Sequence, residues 1–222
     1  MERYKKIVLI ILASLLFIIS LISVSFNVYL NYKINNIQKQ DENIVFFGDS
    51  ITEGYNVKEF YDEFNVVNSG VSGNQTIDLL TQIETRLYDY NPSKTIILIG
   101  INDVNNGKSD NEILNNLKGI IKGIKKNRKS SDIYIQSIYP VNRDLGERTT
   151  EMLDNEDLNN KRVKNLNKKI KHLCKKEGIP YINVYDSLCD KDGNLKSIYT
   201  NDGVHLNDLG YYKVTTTIKK YI

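Results

Sequence analysis

The sequence predicts an α/β protein in which helices cover both faces of a five-stranded parallel sheet, with one membrane-spanning helix in front. Short apolar runs alternate with longer segments whose apolar residues recur every three or four positions, as in buried strands followed by amphipathic helices. The short runs are predominantly apolar and do not alternate with polar residues, which is typical of parallel strands buried on both faces. The predicted architecture is therefore a three-layer αβα sandwich.

The segment "IVLIILASLLFIISLISVSFNVYL", Ile7 to Leu30, contains no charged residue and exceeds the roughly 20 residues needed to cross a bilayer. Arg3, Lys5 and Lys6 precede it, so the positive-inside rule places the rest of the chain outside the cytoplasm. A cleaved signal peptide is the alternative, because Ser23–Ser25 is a small-x-small site. The run is longer than a usual signal-peptide core and no A-x-A follows, which favours an uncleaved anchor.

The chain then divides into residues 1–30, a cytoplasmic stub and anchor; 31–42, a polar, non-periodic tether; and 43–222, the main domain. A tether of this length reaches at most about 40 Å. Gly178 and Pro180 stop the longest predicted helix. The predicted strands are 43–48, 64–70, 94–100, 132–140 and 180–186, and the predicted helices are 76–90, 111–129, 156–178 and one after residue 205.

Composition argues against several classes of function. Residues 31–222 hold 27 Lys and Arg against 26 Asp and Glu, and these lysines occur among acids on helix-like faces, as on a solvated surface. A nucleic-acid partner, which normally requires a concentrated basic patch, is not expected. The sequence has no metal motif, dinucleotide fingerprint or P-loop, so no metal or cofactor is expected. Cys174 and Cys189 are interpreted either as a disulfide or as free thiols.

Polar clusters follow the first three predicted strands. Gly48-Asp49-Ser50 ends the first, Asn68–Asn74 follows the second and Gly100–Asp103 follows the third. In open α/β sheets, ligands bind beyond the carboxyl ends of the strands. The three clusters are therefore expected at one edge of the sheet, where Gly48 permits a sharp exit from the strand.

A serine hydroxyl becomes a good nucleophile only when a neighbouring base takes its proton. Of the two histidines, His172 lies in a lysine-rich helix, as a solvated residue would, and His205 lies in a polar loop before the last helix. His205 is therefore the candidate base for Ser50. Asp202 lies three residues earlier, close enough to orient the imidazole ring.

Acyl transfer also requires hydrogen-bond donors for the developing oxyanion. The N–H of Ser50, the N–H of Gly73 and the side-chain amide of Asn102 could supply them. Taken singly, each has a plain structural explanation, since glycines serve turns and Asn102-Asp103 could cap the next segment.

The four segments "GDSIT", "GVSGNQT", "GIND" and "DGVHLN" occur in this order, and as a set they closely resemble the SGNH hydrolases, also called GDSL esterases. The resemblance extends over Asn43 to Ile222 and implies a flavodoxin-like sheet. It implies Ser50 as nucleophile, His205 as base and then acid, and Asp202 as its orienting partner. It also implies an oxyanion hole formed by Ser50, Gly73 and Asn102.

Asp49 and Asn74 lie next to Ser50 and Gly73 in the sequence, and neither is expected to take part directly in the chemistry. Asp49 belongs to the family motif and is expected to position the loops through hydrogen bonds. Asn74 is a departure, because many family members have an acid after the second-block glycine. The role of Gly73 uses its backbone N–H and should not depend on that exchange.

The long irregular stretch Pro140–Leu158 should overhang the same edge, and long loops in such positions often recognise the substrate. Arg143 and Arg148 are candidates for contacting an anionic or sugar-bearing substrate, or are solvated charges. The expected function is removal of short acyl groups, notably acetyl, from cell-envelope carbohydrate. Alternatives are hydrolysis of a lysophospholipid or acyl thioester, acyl transfer to a sugar, and a non-catalytic glycan-binding module.

Overall fold

The computed structural model describes residues 1–40, 43–145 and 150–222. The chain separates into two compact units, Met1–Asp41 and Glu42–Ile222. The first unit is helix α1, Glu2–Gln40. Within its part from Glu2 to Lys33, the most apolar window of 18 residues has a mean hydropathy of 3.1, which fits a membrane span and also fits a signal sequence.

Helix α1 continues over residues 31–40, where the sequence predicted an irregular tether. No Gly or Pro occurs there, so no residue in this segment breaks the helical hydrogen bonding. Residues 41 and 42, the rest of that segment, lie outside the described residues. The division of the chain at residues 30 and 42 remains a prediction.

Within the described residues, the second unit contains one sheet of five parallel strands, in the order β2-β1-β3-β4-β5. This confirms the predicted class. The predicted fifth strand is cut short because the backbone N–H groups of Val184 and Tyr185 donate to Ser137 Oγ, 3.0 and 2.7 Å away, and a helix begins there. The strands are β1 Asn43–Gly48, β2 Asn65–Gly70, β3 Lys94–Leu98, β4 Asp132–Gln136 and β5 Tyr181–Ile182.

The two longest helices of the second unit have recognisable caps. Ser109 and Glu112 form a capping box at the start of one long helix, and Gly178, with φ +66°, ends the other. The helices are α2 Ser50–Glu53, α3 Val57–Phe60, α4 Thr76–Thr81, α5 Ile83–Arg86, α6 Ile101–Asn105, α7 Asp110–Asn127, α8 Asn160–Glu177, α9 Tyr185–Leu188 and α10 Asp208–Ile218, with short 3₁₀ turns at Tyr88–Tyr90, Glu151–Asp154 and Ser197–Tyr199.

The single helix predicted over 76–90 is wrong in detail, because the segment forms α4, α5 and a 3₁₀ turn. The hydroxyl of Thr81 donates to the carbonyls of Ile77 and Asp78. Such back-bonding competes with the helical ladder and bends helices. The apolar spacing therefore identified the buried face without revealing the breaks.

The core is formed on both faces of the sheet. Residues Ile44–Phe47 of β1 are at most 1% exposed, and because successive strand residues point to opposite faces, both faces must be covered. Helices α4, α7 and α8 lie side by side in one layer. Near α10, the ring of Tyr211 stacks on Tyr55 at 4.8 Å, and Tyr55 meets Phe46 edge-on at 5.6 Å.

Strands β1, β2 and β3 end at the same level, since Gly48 pairs with Gly70 and with Leu98. A Cβ atom at Gly48 would lie 2.2 Å from Thr52 Oγ1 and 2.3 Å from the Leu98 carbonyl oxygen. Close approach of neighbouring groups, and not backbone dihedrals, therefore requires glycine where β1 turns into α2.

Cys174 and Cys189 are both free thiols.

Candidate active site

Ser50, His205 and Asp202 form one hydrogen-bonded line at the carboxyl edge of the sheet. Ser50 Oγ lies 2.9 Å from His205 Nε2, and His205 Nδ1 lies 2.6 Å from Asp202 Oδ2. The imidazole is 41% exposed, so the line opens to solvent. With the proton on Nδ1 bonded to Asp202, Nε2 can accept the proton of the Ser50 hydroxyl.

The carboxylate of Asp202 is held by its own loop. Its Oδ1 accepts the N–H groups of Val204 and His205 at 2.9 and 2.8 Å. Burial alone would raise the pKa of Asp202, but the hydrogen bonds from His205 and these N–H groups outweigh it and lower the pKa. Asp202 is therefore ionised when it bonds the imidazole.

Gly203 shapes the loop between Asp202 and His205. Its φ is +89°, and a Cβ atom there would lie 2.2 Å from the Asn142 carbonyl oxygen. Asn142 N–H donates to the Gly203 carbonyl at 2.8 Å, and Thr150 N–H donates to the Asp202 carbonyl at 3.0 Å. The described part of the predicted overhanging stretch, Pro140–Leu158, thus packs directly on the loop that carries Asp202 and His205.

Asp49 caps the helix that begins with Ser50. Its Oδ1 accepts the Ile51 N–H at 3.1 Å, and its Oδ2 has no partner among the described residues. Desolvation by burial raises the pKa of Asp49 to about 7, the nearby Asp103 carboxylate adds to this, and the Ile51 N–H opposes it. Asp49 therefore caps α2, whereas the sequence suggested that it would bond the loops, and its carboxyl is buried.

The loop after β2 and helix α6 after β3 lie together beside Ser50. Asn102 Nδ2 donates to the Asn74 carbonyl at 2.9 Å, and Val71 N–H donates to the Gly48 carbonyl at 3.1 Å. Gly73 has φ +78° and open space where a Cβ would stand, so its backbone is accessible. These contacts place the Gly73 loop, the Asn102 amide and the end of β1 at one edge.

Arg86, at the end of α5, ties this edge together and was missed by sequence reasoning. Its Nη2 donates to the carbonyls of Ser69 and Gly48 at 2.5 and 3.2 Å, and its Nη1 donates to Asn74 Oδ1. The guanidinium also lies 5.2 Å from the Phe47 ring. No sequence pattern marks an arginine whose partners are mainly backbone carbonyls far along the chain.

Asp103 is the second residue that sequence reasoning misjudged. The pair Asn102-Asp103 suggested a cap for its own following segment, but Asp103 accepts the N–H of Thr76 at 2.9 Å and its hydroxyl at 2.5 Å. It therefore fixes the start of α4. Burial is the main reason that the pKa of Asp103 is raised.

Of the two arginines proposed for substrate contact, the structure describes only Arg143. Arg143 is exposed and donates from Nη2 to the Asn155 carbonyl, whereas Arg148 lies outside the described residues. His172 is exposed near the carboxyl end of α8, away from the carboxyl ends of the strands where Ser50 lies. Among the described residues, no cluster of His, Cys, Asp and Glu could hold a metal ion.

Known proteins resemble this chain in sequence and structure. Residues 46–213 match the sequence profile of the GDSL-like lipase/acylhydrolase family. A Streptococcus pneumonia protein described as a platelet activating factor is 29% identical, with a TM-score of 0.75, over 90% of this chain and 98% of its own. A GDSL-like lipase from Bacteroides thetaiotaomicron is 22% identical, with a TM-score of 0.70, over 86% of this chain and 95% of its own.

An acetyl xylan esterase is 20% identical, with a TM-score of 0.62, over 81% of this chain and 99% of its own. No curated protein matches the chain. At these identities the second and third structures show only that the fold is shared.

Proposed function

This chain belongs to the GDSL-like lipase/acylhydrolase family, and we propose that it is a membrane-anchored, extracytoplasmic serine esterase that removes short acyl groups, foremost acetyl, from cell-envelope carbohydrate. The observation that carries the proposal is the contact of 2.9 Å between Ser50 Oγ and His205 Nε2, continued by the contact of 2.6 Å to Asp202. Nucleophile, base and orienting acid are thus within hydrogen-bond reach of one another.

In the proposed reaction, Ser50 Oγ attacks the ester carbonyl carbon while its proton moves to His205 Nε2. The tetrahedral intermediate collapses, the bond to the sugar oxygen breaks, and His205 gives the proton to that oxygen. Water then attacks the carbonyl carbon of the acyl-serine while His205 takes a proton from it. The second tetrahedral intermediate collapses, the bond to Ser50 Oγ breaks, and His205 returns the proton to Oγ, which releases the carboxylic acid and free Ser50. Asp202 stabilises the imidazolium in both halves without being protonated.

The negative charge on the carbonyl oxygen needs donors in the intermediate. We assign the N–H groups of Ser50 and Gly73 and the amide of Asn102 to this task. One N–H of the Asn102 amide already donates to the Asn74 carbonyl at 2.9 Å, which fixes the amide plane and leaves its second N–H for the substrate. One such donor is typically worth about 3 kcal/mol in the transition state.

A carbohydrate substrate is supported by the polar character of the surroundings. A groove of about 330 Å³ between the starts of α4 and α7 is lined by Gln75, Asn115 and Asn116, whose side-chain amides can bond sugar hydroxyls, and it reaches Asp103, the residue after Asn102. A structural neighbour is described as an acetyl xylan esterase. Export is supported by the apolar helix Glu2–Lys33, with Arg3, Lys5 and Lys6 at its start.

Lipid esters are the second candidate. Structural neighbours include a GDSL-like lipase, and the apolar helix α1 would keep the domain near lipid. A series of p-nitrophenyl esters from acetate to palmitate separates the two substrates. A maximum of kcat/KM at acetate supports the carbohydrate acetyl ester, whereas a maximum at long chains supports the lipid.

The chemistry is tested with Ser50→Ala in the full chain, with Ser130→Ala as the matched control because Ser130 is exposed in the turn after α7. We expect Ser50→Ala to lower kcat for p-nitrophenyl acetate by at least about 10³-fold and to abolish labelling by a fluorophosphonate probe. Ser130→Ala should behave as wild type. Equal turnover by the Ser50 variant and wild type would refute the mechanism.

A further inference from the structure

The cations of the main domain are concentrated on α7 and α8, contrary to the scattered arrangement that the sequence suggested. These two neighbouring helices carry 12 Lys and Arg against 3 Asp and Glu, whereas the whole of residues 43–222 carries 25 against 24. Nearly half of the positive charge in the domain therefore lies on two adjacent helices. Such an asymmetry produces a basic surface in a nearly neutral domain.

The carboxyl ends of α7 and α8 form what we call the basic edge, consisting of Lys125, Lys126, Lys129, Lys175 and Lys176. All five lysines are exposed. The two helix ends touch, because Lys125 Nζ lies 3.5 Å from Glu177 Oε2. The four other lysines have no ion pair among the described residues.

The basic edge lies at the amino ends of the strands, opposite the catalytic edge. Asp132, which begins β4 three residues after Lys129, donates its N–H to the Ser93 carbonyl at 2.9 Å. Ser93 donates its N–H to the carbonyl of Asn43, the first residue of β1, also at 2.9 Å. Ser50 follows the other end of β1, about 20 Å away by the rise of an extended strand.

The chain enters the domain at this same side. Helix α1 ends at Gln40 and β1 begins at Asn43, so the segment between them can span only about 10 Å. The ten helical residues after Leu30 add about 15 Å. If Ile7–Leu30 spans the bilayer, this length of chain holds Asn43 within about 25 Å of the headgroups, and the basic edge lies on the same side of the domain as Asn43.

From this we propose that the basic edge binds the anionic phospholipid headgroups of the bilayer in which α1 is embedded, and so turns the catalytic edge away from the membrane toward polymer substrates. The inference rests on the membrane anchor of the proposed function. Clusters of four to eight basic residues close to a span are typical of surfaces that recognise anionic lipid. An orientation of this kind favours carbohydrate over bilayer lipid as substrate.

The test measures lysine protection in the full chain reconstituted into vesicles of phosphatidylcholine alone or with 30% phosphatidylglycerol. A membrane-impermeant acetylating reagent is applied, and mass spectrometry gives the labelling of Lys176 relative to Lys161. Lys161 is the matched control because it is exposed on the same helix, about 22 Å nearer the catalytic edge. We expect the ratio to fall at least about threefold in the anionic vesicles and to recover in 1 M salt, where screening acts over about 3 Å.

A variant with all five lysines of the basic edge changed to Gln should retain wild-type hydrolysis of p-nitrophenyl acetate, which shows that it folds. Because Lys176 is absent from this variant, the labelling of Lys168, which lies two turns earlier on α8, is compared with the labelling of Lys161. This ratio should be the same in both kinds of vesicle for the variant, whereas for wild type it should fall in the anionic vesicles. Equal wild-type ratios in both vesicles would overturn the docking and leave the esterase intact. Protection produced by soluble polyphosphate but not by phosphatidylglycerol would assign the edge to a polyanion and overturn it too. A chain that alkaline carbonate washes off the vesicles would overturn both the anchor and the docking.

Discussion

Replacing Asp49 with Asn should stabilise the protein above neutral pH and leave it nearly unchanged in acid. Asp49 is 1% exposed, and burial raises its pKa from the ordinary 3.8 to about 7. Between these values the native state holds a proton that the unfolded chain has released. The free energy of unfolding therefore falls as pH rises from about 4 to about 7.

The difference between 3.8 and about 7 corresponds to about 4 kcal/mol. Asn is neutral at every pH, its Oδ1 can keep the bond from the Ile51 N–H, and its amide stands where the protonated carboxyl had its hydroxyl. At pH 4.5 the two proteins should therefore differ by less than about 1 kcal/mol. At pH 8 the variant should be more stable by up to about 4 kcal/mol.

The measurement is urea unfolding of the full chain in a non-ionic detergent, at pH 4.5, 6 and 8, followed by near-ultraviolet circular dichroism of the buried tyrosines. Asp192→Asn is the control, because Asp192 is exposed in a turn. A variant that is less stable than wild type by the same amount at all three pH values would refute the reasoning. That result would mean that the Asp49 carboxylate is ionised and bonded in the native state.

Two further substitutions test the positioning of the site. Asp202→Asn removes the charge that holds His205 Nδ1, and we expect kcat for p-nitrophenyl acetate to fall about 10³- to 10⁴-fold with KM nearly unchanged; a loss below tenfold would contradict the assigned role. Arg86→Met keeps the side chain's bulk but removes its bonds to the loop of Asn74, and kcat should fall about 10²-fold while Arg86→Lys recovers part of it. A rise in KM at constant kcat would show that Arg86 contacts substrate instead.

The sequence was sufficient to predict the sheet because the strands are built on short apolar runs, most clearly in β1 and β3, and because the long helices α7 and α8 have caps. The order of helices and strands alone places Ser50, Asn102 and the Gly73 loop at one edge, since parallel strands all end on the same side. The contact of Ser50 with His205 did not follow from spacing. The prediction of this contact depended on the scarcity of histidine in the chain and on the resemblance to a known family.

What the sequence could not predict has a common physical origin. Arg86 acts through carbonyls at residues 48 and 69, and Asp103 caps a helix that begins 27 residues earlier. A side chain that bonds distant backbone leaves no local sequence pattern. Nearly every residue carries the same backbone carbonyl and N–H groups, so the sequence does not indicate which of them is the partner. The breaks in the helix predicted over 76–90 were not predicted either, because the apolar spacing is preserved across a bend.

The acidic groups beside Ser50 bear on the choice of substrate. Glu53 lies in the same short helix as Ser50, and the Asp202 carboxylate lies behind His205 in the hydrogen-bonded line that ends at Ser50. A strongly anionic polymer would be repelled there, whereas an acetylated neutral sugar carries no charge to be repelled. Negative charge next to the nucleophile therefore favours uncharged esters at the catalytic edge.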